Sequence, residues 1–280
     1  MGKFILIAFV LVAYATSAQV VDGSVAVFNL TKNEFVVAAD SLAGNEDTGV
    51  PDYFHCKIAT FGHEFIFFVV GNAGWSNSRG GGFIQSWDST ELARAVFHGS
   101  PKPELDNIAI QWANDVKSHW DRLYGFSQQQ AKNIAASNGG QFTSGVFVTK
   151  RLATKVAIIR YNFNRPIDPI EVLLGDSTNL TDCWVCGQLP GSKICAAGKH
   201  LDVVANFCAS RKHGDKIEVR THLQAASAST ELPVKIVELT IDTYGKIAKD
   251  VGGAVDAVTI TKSGGITWNA RKNNCPENQD

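Results

Sequence analysis

No charge excess marks this chain. Its 280 residues carry 26 Lys and Arg against 27 Asp and Glu, a net charge of −1. That removes the electrostatic basis for binding nucleic acid or an anionic membrane surface. No basic run interleaved with aromatics and no acidic tail is present. No stretch reaches the roughly 20 apolar residues that cross a bilayer, so the mature protein is expected to lack a membrane span. Internal repeats and coiled-coil heptads are missing too. The seven histidines lack metal-ligand spacing; His63, His119 and His200 read as solvated or satisfied in a core. Neither a metal nor an organic cofactor is expected.

What is there describes one globular domain: 45% hydrophobic and 19% charged residues, in a chain long enough for a sizeable core. The first 18 residues have the form of a secretory signal. Lys3 gives a positive start, residues 4–12 are apolar, and small residues run to Ala18, with Ala15 as the other cleavage point. Export implies a secreted or periplasmic protein. Four of six cysteines, Cys183, Cys186, Cys195 and Cys208, fall in a 26-residue stretch. In an oxidising compartment the grouping predicts structural disulfides; a zinc site is the alternative, and the connectivity is open. Asn29 and Asn179 each begin a glycosylation sequon.

Strands are predicted at 24–30 and 34–39, joined by a turn at Thr31-Lys32-Asn33, and at 56–61 and 64–70, joined by Gly62-His63. A helix opens at Ser89, a possible N-cap. A second covers 103–124, with Leu105, Ile108, Ile110, Trp112, Val116 and Trp120 near helical spacing, and 128–136 continues the helical layer. A hairpin at 141–149 and 154–161 turns at Lys150-Arg151. The cysteine-bearing region 166–232 is irregular, with strands at 170–174 and 193–197 and a helix at 200–209. The helix at 233–250 carries Ile236, Val237, Ile241, Tyr244 and Ile247 on one stripe, and strands at 255–260 and 265–268 finish the chain. Hairpin-joined strands with helices between them predict an α+β fold of antiparallel sheets.

Within the first hairpin, Gly23 precedes Ser24, and Ala38-Ala39-Asp40-Ser41 ends the second strand, with Asp40 16 residues after Ser24. Lys57 follows 17 residues later and Gly71 14 beyond that. This ordered set resembles the N-terminal-nucleophile hydrolases, proteasome β-subunits in particular. The similarity covers about residues 23–75, returns over 232–268, and is poor between them. It implies a four-layer αββα sandwich, two antiparallel sheets flanked by helices, as one domain over 24–280 with a cysteine-bearing insertion around 166–232.

The resemblance also implies a chemistry. Ser24 becomes the first residue after loss of residues 19–23, a short propeptide removed by self-cleavage at Gly23–Ser24. Its α-amine then serves as general base for its own hydroxyl. Lys57 favours the nucleophile's charged form, Asp40 holds Lys57, and the Gly71 N–H stabilises the oxyanion. The substrate is a peptide or small amide, and a homo-oligomer fits the family. Val251 and Lys199 stand where the family has supporting serines, and Ala248 or Asp250 near a supporting aspartate. The alternative function is an inactive member of the fold serving as a binding or assembly module.

Overall fold

The computed structural model describes residues 19–22, 24–42, 44–45, 56–76, 86–101, 103–184, 193–198, 201–209, 231–247, 251–263, 265–273 and 275. The signal segment, Gly23, Cys186, Lys199, Ala248 and Asp250 lie outside them. The architecture is α+β, and every strand pairing in it is antiparallel.

The strands in chain order are β1 (Gln19–Asp22), β2 (Val25–Leu30), β3 (Glu34–Asp40), β4 (Gly44–Asn45), β5 (Ile58–Phe61), β6 (Phe65–Gly71), β7 (Gly74–Ser76), β8 (Trp87–Asp88), β9 (Gln141–Thr149), β10 (Thr154–Tyr161), β11 (Ile170–Gly175), β12 (Asp182–Trp184), β13 (Lys193–Gly198), β14 (Val255–Thr261) and β15 (Gly265–Ala270). The helices are α1 (Ser89–Gly99), α2 (Leu105–Phe126), α3 (Gln128–Ser137), α4 (Ser177–Leu180), α5 (Asp202–Ala209) and α6 (Leu232–Tyr244). One sheet runs β12-β13-β2-β3-β14-β15, a second β11-β10-β9-β6-β5, and a smaller one β4-β1-β7-β8.

Three apolar clusters explain why these strands read as near-continuous hydrophobic runs. Phe67 and Val69 of β6 face α1, α2 and α3 in one cluster, with Trp112 and Trp120. Their neighbours Ile66, Phe68 and Val70 point the other way and meet Ala26, Phe28, Phe35 and Val37 of the six-stranded sheet. Val25, Val27 and Ala38, on that sheet's far side, pack on Ile236 and Val237 of α6. Side chains alternate across a strand, but here both faces are covered, so the period of two is hidden. Phe28, Phe35 and Phe68 interlock with ring centroids 5.3–6.3 Å apart, and burying each contributes about 2–3 kcal/mol.

Several sequence expectations need correction. The N-cap of α1 is Asp88, whose carboxylate accepts from the Thr90 and Glu91 N–H groups, not Ser89. Ile110 is 43% and Ile247 80% exposed, so neither belongs to its helix's buried stripe. Within 166–232 the strands expected at 170–174 and 193–197 are found as β11, which extends one large sheet, and β13, which pairs directly with β2. Residues 19–22 form a paired strand. Of the two sequons, Asn29 is buried within β2, whereas Asn179 is exposed on α4. His119 stacks on Trp87 at 5.3 Å; burial, then nearby Arg122, pushes its pKa down to about 4, so it packs as a neutral ring.

Cys183 bonds Cys195 directly across β12 and β13, and Cys56 bonds Cys275 over a separation of 219 residues. Cys183 and Cys195 are therefore engaged with each other, not with zinc. Beside Cys275, the ion pair of Lys272 with Asp256 is buried, and Lys272 N–H also donates to Asp256. A disulfide restricts the unfolded chain more as its loop lengthens. Cys275→Ser is expected to lower the unfolding free energy by about 4–5 kcal/mol and Cys183→Ser by about 3 kcal/mol. Denaturant titration of both variants checks the order; equal losses would refute it.

Candidate active site

The site begins at the β2–β3 hairpin. Ala26 faces Ala39 in the ladder, which brings the end of β3 beside the start of β2. There the Asp40 carboxylate collects its donors. Val25 N–H donates to Asp40 Oδ1 at 3.0 Å, Lys57 Nζ donates to the same oxygen at 3.0 Å, and Gly252 N–H donates to Oδ2 at 3.0 Å. Two nitrogens bound to one oxygen at these distances lie no more than about 6 Å apart. Lys57 is thus held against the backbone that leaves Ser24. Ser24 itself is buried.

Lys57 sits one residue before β5. Its ammonium also donates to the Leu42 carbonyl at 2.6 Å, and both Lys57 and Asp40 are 0% exposed. Removing two charges from water costs several kcal/mol each, and attraction in the interior repays this only with good geometry and further hydrogen bonds. The Leu42 carbonyl and the two N–H groups supply those bonds. The turn carrying Gly252 is locked in turn: its carbonyl accepts from Ser41 N–H at 3.1 Å and Leu42 N–H at 2.9 Å.

Gly71 closes β6 with φ +81°, where a Cβ would lie 2.7 Å from the Phe142 carbonyl oxygen, so only glycine fits. Two residues earlier, Val69 N–H donates to the Lys57 carbonyl at 3.0 Å. Because N–H directions repeat every second residue along a strand, the Gly71 N–H points to the same edge, just past Lys57. Gly198, ending β13 at φ +103°, lets the chain pass against Ser24: a Cβ there would be 2.1 Å from the Ser24 carbonyl oxygen.

Asp40 and Lys57 are therefore in direct contact, Ser24 adjoins them through Val25, and Gly71 faces the edge where Lys57 leads into β5. Gly23, expected at the processing bond, lies outside the described residues. Sequence reasoning missed Leu42 and Gly252. Both act through backbone atoms, so no side-chain signature marks them. Val251, which the resemblance sets where a serine is expected, is buried.

β1, immediately ahead of Ser24, pairs on one edge with β4, Val21 opposite Asn45, and on the other with β7, Val20 opposite Trp75. It spans the gap between the loop after β3 and the strand after Gly71. A cavity of about 610 Å³ opens elsewhere, lined by Glu64, Phe65, Lys150 and Arg151; none of Ser24, Asp40, Lys57 and Gly71 borders it. Among the described residues no helix is long and apolar enough to cross a membrane, and no cluster of His, Cys, Asp or Glu could hold a metal ion.

No protein-family model and no curated protein matches the chain. Among solved structures, the chain is similar to "Anbu (Gly-1) mutant from Hyphomicrobium sp. strain MC1", with 14% identity over 88% of this chain and 85% of that one, at a TM-score of 0.43.

Proposed function

We propose that this chain is an exported hydrolase of the N-terminal-nucleophile type, similar to proteasome β-subunits, in which Ser24 attacks amide or peptide bonds once residues 1–23 are removed. On this reading the two large sheets and their helices are the four-layer αββα sandwich of that family. Three apolar clusters, one between the sheets and one beneath each helical face, support the layering. The disulfides fit an oxidising compartment, secreted or periplasmic.

The observation that carries the reading is the shared oxygen of Asp40. It ties a fully buried lysine to the backbone leaving Ser24. A buried ion pair is on average no more stabilising than apolar residues of the same volume, so stability alone gives little reason for this one.

In the reaction, the Ser24 α-amine takes the hydroxyl proton as Oγ attacks the amide carbonyl. An α-amine ordinarily titrates near pH 8, so only about a tenth of it is a free base at pH 7 and the share grows as pH rises. Lys57 supplies positive charge beside the developing alkoxide, and the Gly71 N–H stabilises the oxyanion. The proton passes to the leaving amine, and water then hydrolyses the ester on Ser24. In processing, the same hydroxyl attacks the Gly23 carbonyl, the Gly23–Ser24 C–N bond breaks with its proton passing to the Ser24 nitrogen, and water hydrolyses the resulting ester to release the preceding segment. The test is the start of the mature chain, from N-terminal sequencing and intact mass of exported protein. A chain beginning at Ser24 that hydrolyses peptide amides is the expected result. A chain that keeps Gln19 at its start and hydrolyses nothing overturns the proposal in favour of a binding or assembly module.

A further inference from the structure

We infer that Thr143 is a positioning residue for the oxyanion donor, and that Trp120 sets the direction of its hydroxyl; the inference rests on the reading that Gly71 N–H is that donor. Gly71 is the one residue of its turn with full rotational freedom. Its N–H keeps a single direction only if the chain on both sides is pinned. The strand side is pinned by the ladder of β6 with β9, in which Gly71 stands opposite Thr143.

The other side is Asn72, and its backbone is gripped at both ends. Asn72 N–H donates to the Phe142 carbonyl at 2.8 Å, and the Thr143 hydroxyl donates to the Asn72 carbonyl at 2.7 Å. Asn72's own amide group is buried and has no partner among the described residues, so the backbone contacts, not that side chain, hold the turn. Trp120 Nε1 donates to Thr143 Oγ1 at 3.1 Å. An indole nitrogen is a donor only, so the Thr143 oxygen must accept there, and its proton is left for Asn72. The same indole stacks on Phe142 at 4.1 Å and 15°, and Phe142 is the residue whose carbonyl takes the Asn72 N–H. One ring on α2 thus steadies both groups that hold the turn. Trp120, Thr143 and Asn72 are all fully buried, where such a chain of bonds is strong and water does not compete.

The test starts from the full-length chain: appearance of the cut chain is one readout, and hydrolysis of a fluorogenic peptide-amide library by the processed enzyme is the other. Thr143→Val keeps the shape and removes the hydroxyl. Loss of one oxyanion donor costs about 10²–10³-fold in kcat, and a misdirected donor is expected to cost about 10–100-fold, with KM within twofold. Thr143→Ser should restore kcat to within about threefold of wild type, and Trp120→Phe, which keeps the stack, should lose kcat in the same direction as Thr143→Val. Should Thr143→Val not fold, Trp120→Phe decides. Unchanged kcat in the variants that fold, a loss confined to KM, or no rescue by serine overturns the role. Full activity in Thr143→Val alongside an inactive Ser24→Ala sinks this inference alone. A wild-type chain that neither self-cleaves nor hydrolyses sinks the parent reading and this one with it.

Discussion

Ser24→Ala is expected to leave residues 19–23 attached to the exported chain and to lower amide hydrolysis by at least about 10⁴-fold, the scale of loss seen when a hydrolase nucleophile is removed. Both effects have one cause. The hydroxyl that attacks substrate is the hydroxyl that opens the Gly23–Ser24 bond, and alanine has none. The variant should fold as the parent does. Ser24 is small and buried, and the bond that ties this region to Asp40 comes from the Val25 backbone, which alanine leaves intact. Intact mass reads the first effect, initial rates on peptide amides the second, and a thermal melt checks the fold. Ser24→Thr keeps a hydroxyl and should keep both activities. Hydrolysis at the wild-type rate by Ser24→Ala would remove Ser24 from the mechanism. A wild-type rate that climbs as pH rises through about 8 is the accompanying sign of an α-amine base.

The position of β1 bears on this result. As long as the Gly23–Ser24 peptide bond is intact, the α-nitrogen of Ser24 is an amide and not a base, and Gln19–Asp22 stays in the chain, paired on both edges. Its release therefore changes two things at once: the chemistry of the nitrogen, and the pairing of the edges of β4 and β7.

The large hairpins were legible because their signals are local. Strands at 141–149 and 154–161 were expected and found at those limits, since Lys150 and Arg151 are polar residues between two apolar runs. The six-stranded order was not legible. It depends on β13 finding β2 across more than 160 residues, and nothing within the residues 193–198 names that partner. β4 is two residues long and exists only because β1 lies beside it. Asp88 and Ser89 are both good capping residues, so composition could not choose between them; the chosen cap is the one whose carboxylate reaches two N–H groups. At the site, Asp40 and Lys57 were singled out only by the resemblance of the ordered set Ser24, Asp40, Lys57 and Gly71 to a known family; their direct contact is what the structure adds. Leu42 and Gly252 contribute a carbonyl and an N–H, which almost any residue could provide.

Lys57→Met should be the most destabilising single change at the site, by about 3–5 kcal/mol, because it strands the Asp40 carboxylate where no water reaches. The two N–H donors that remain on Asp40, from Val25 and Gly252, set the lower end of that range. Asp40→Asn should also destabilise, because it takes from Lys57 the buried carboxylate it is paired with. Combining them removes both charges, and the double variant is expected to recover to within about 1–2 kcal/mol of wild type, a coupling of the kind found between contacting residues. Stability alone would not separate a catalytic pair from an anchoring one; comparison with activity does. If the pair only anchors β3 to β5, the double variant regains Gly23–Ser24 cleavage and amide hydrolysis along with its stability. If Lys57 supplies charge to the reaction, the double variant is as stable as the anchor requires and still loses hydrolysis by about 10³-fold, because neither a thioether nor a neutral amide brings positive charge to a developing alkoxide. Denaturant unfolding and processing rates measured on the same four proteins distinguish these outcomes, and recovery of both quantities together would reduce the Asp40–Lys57 pair to scaffolding.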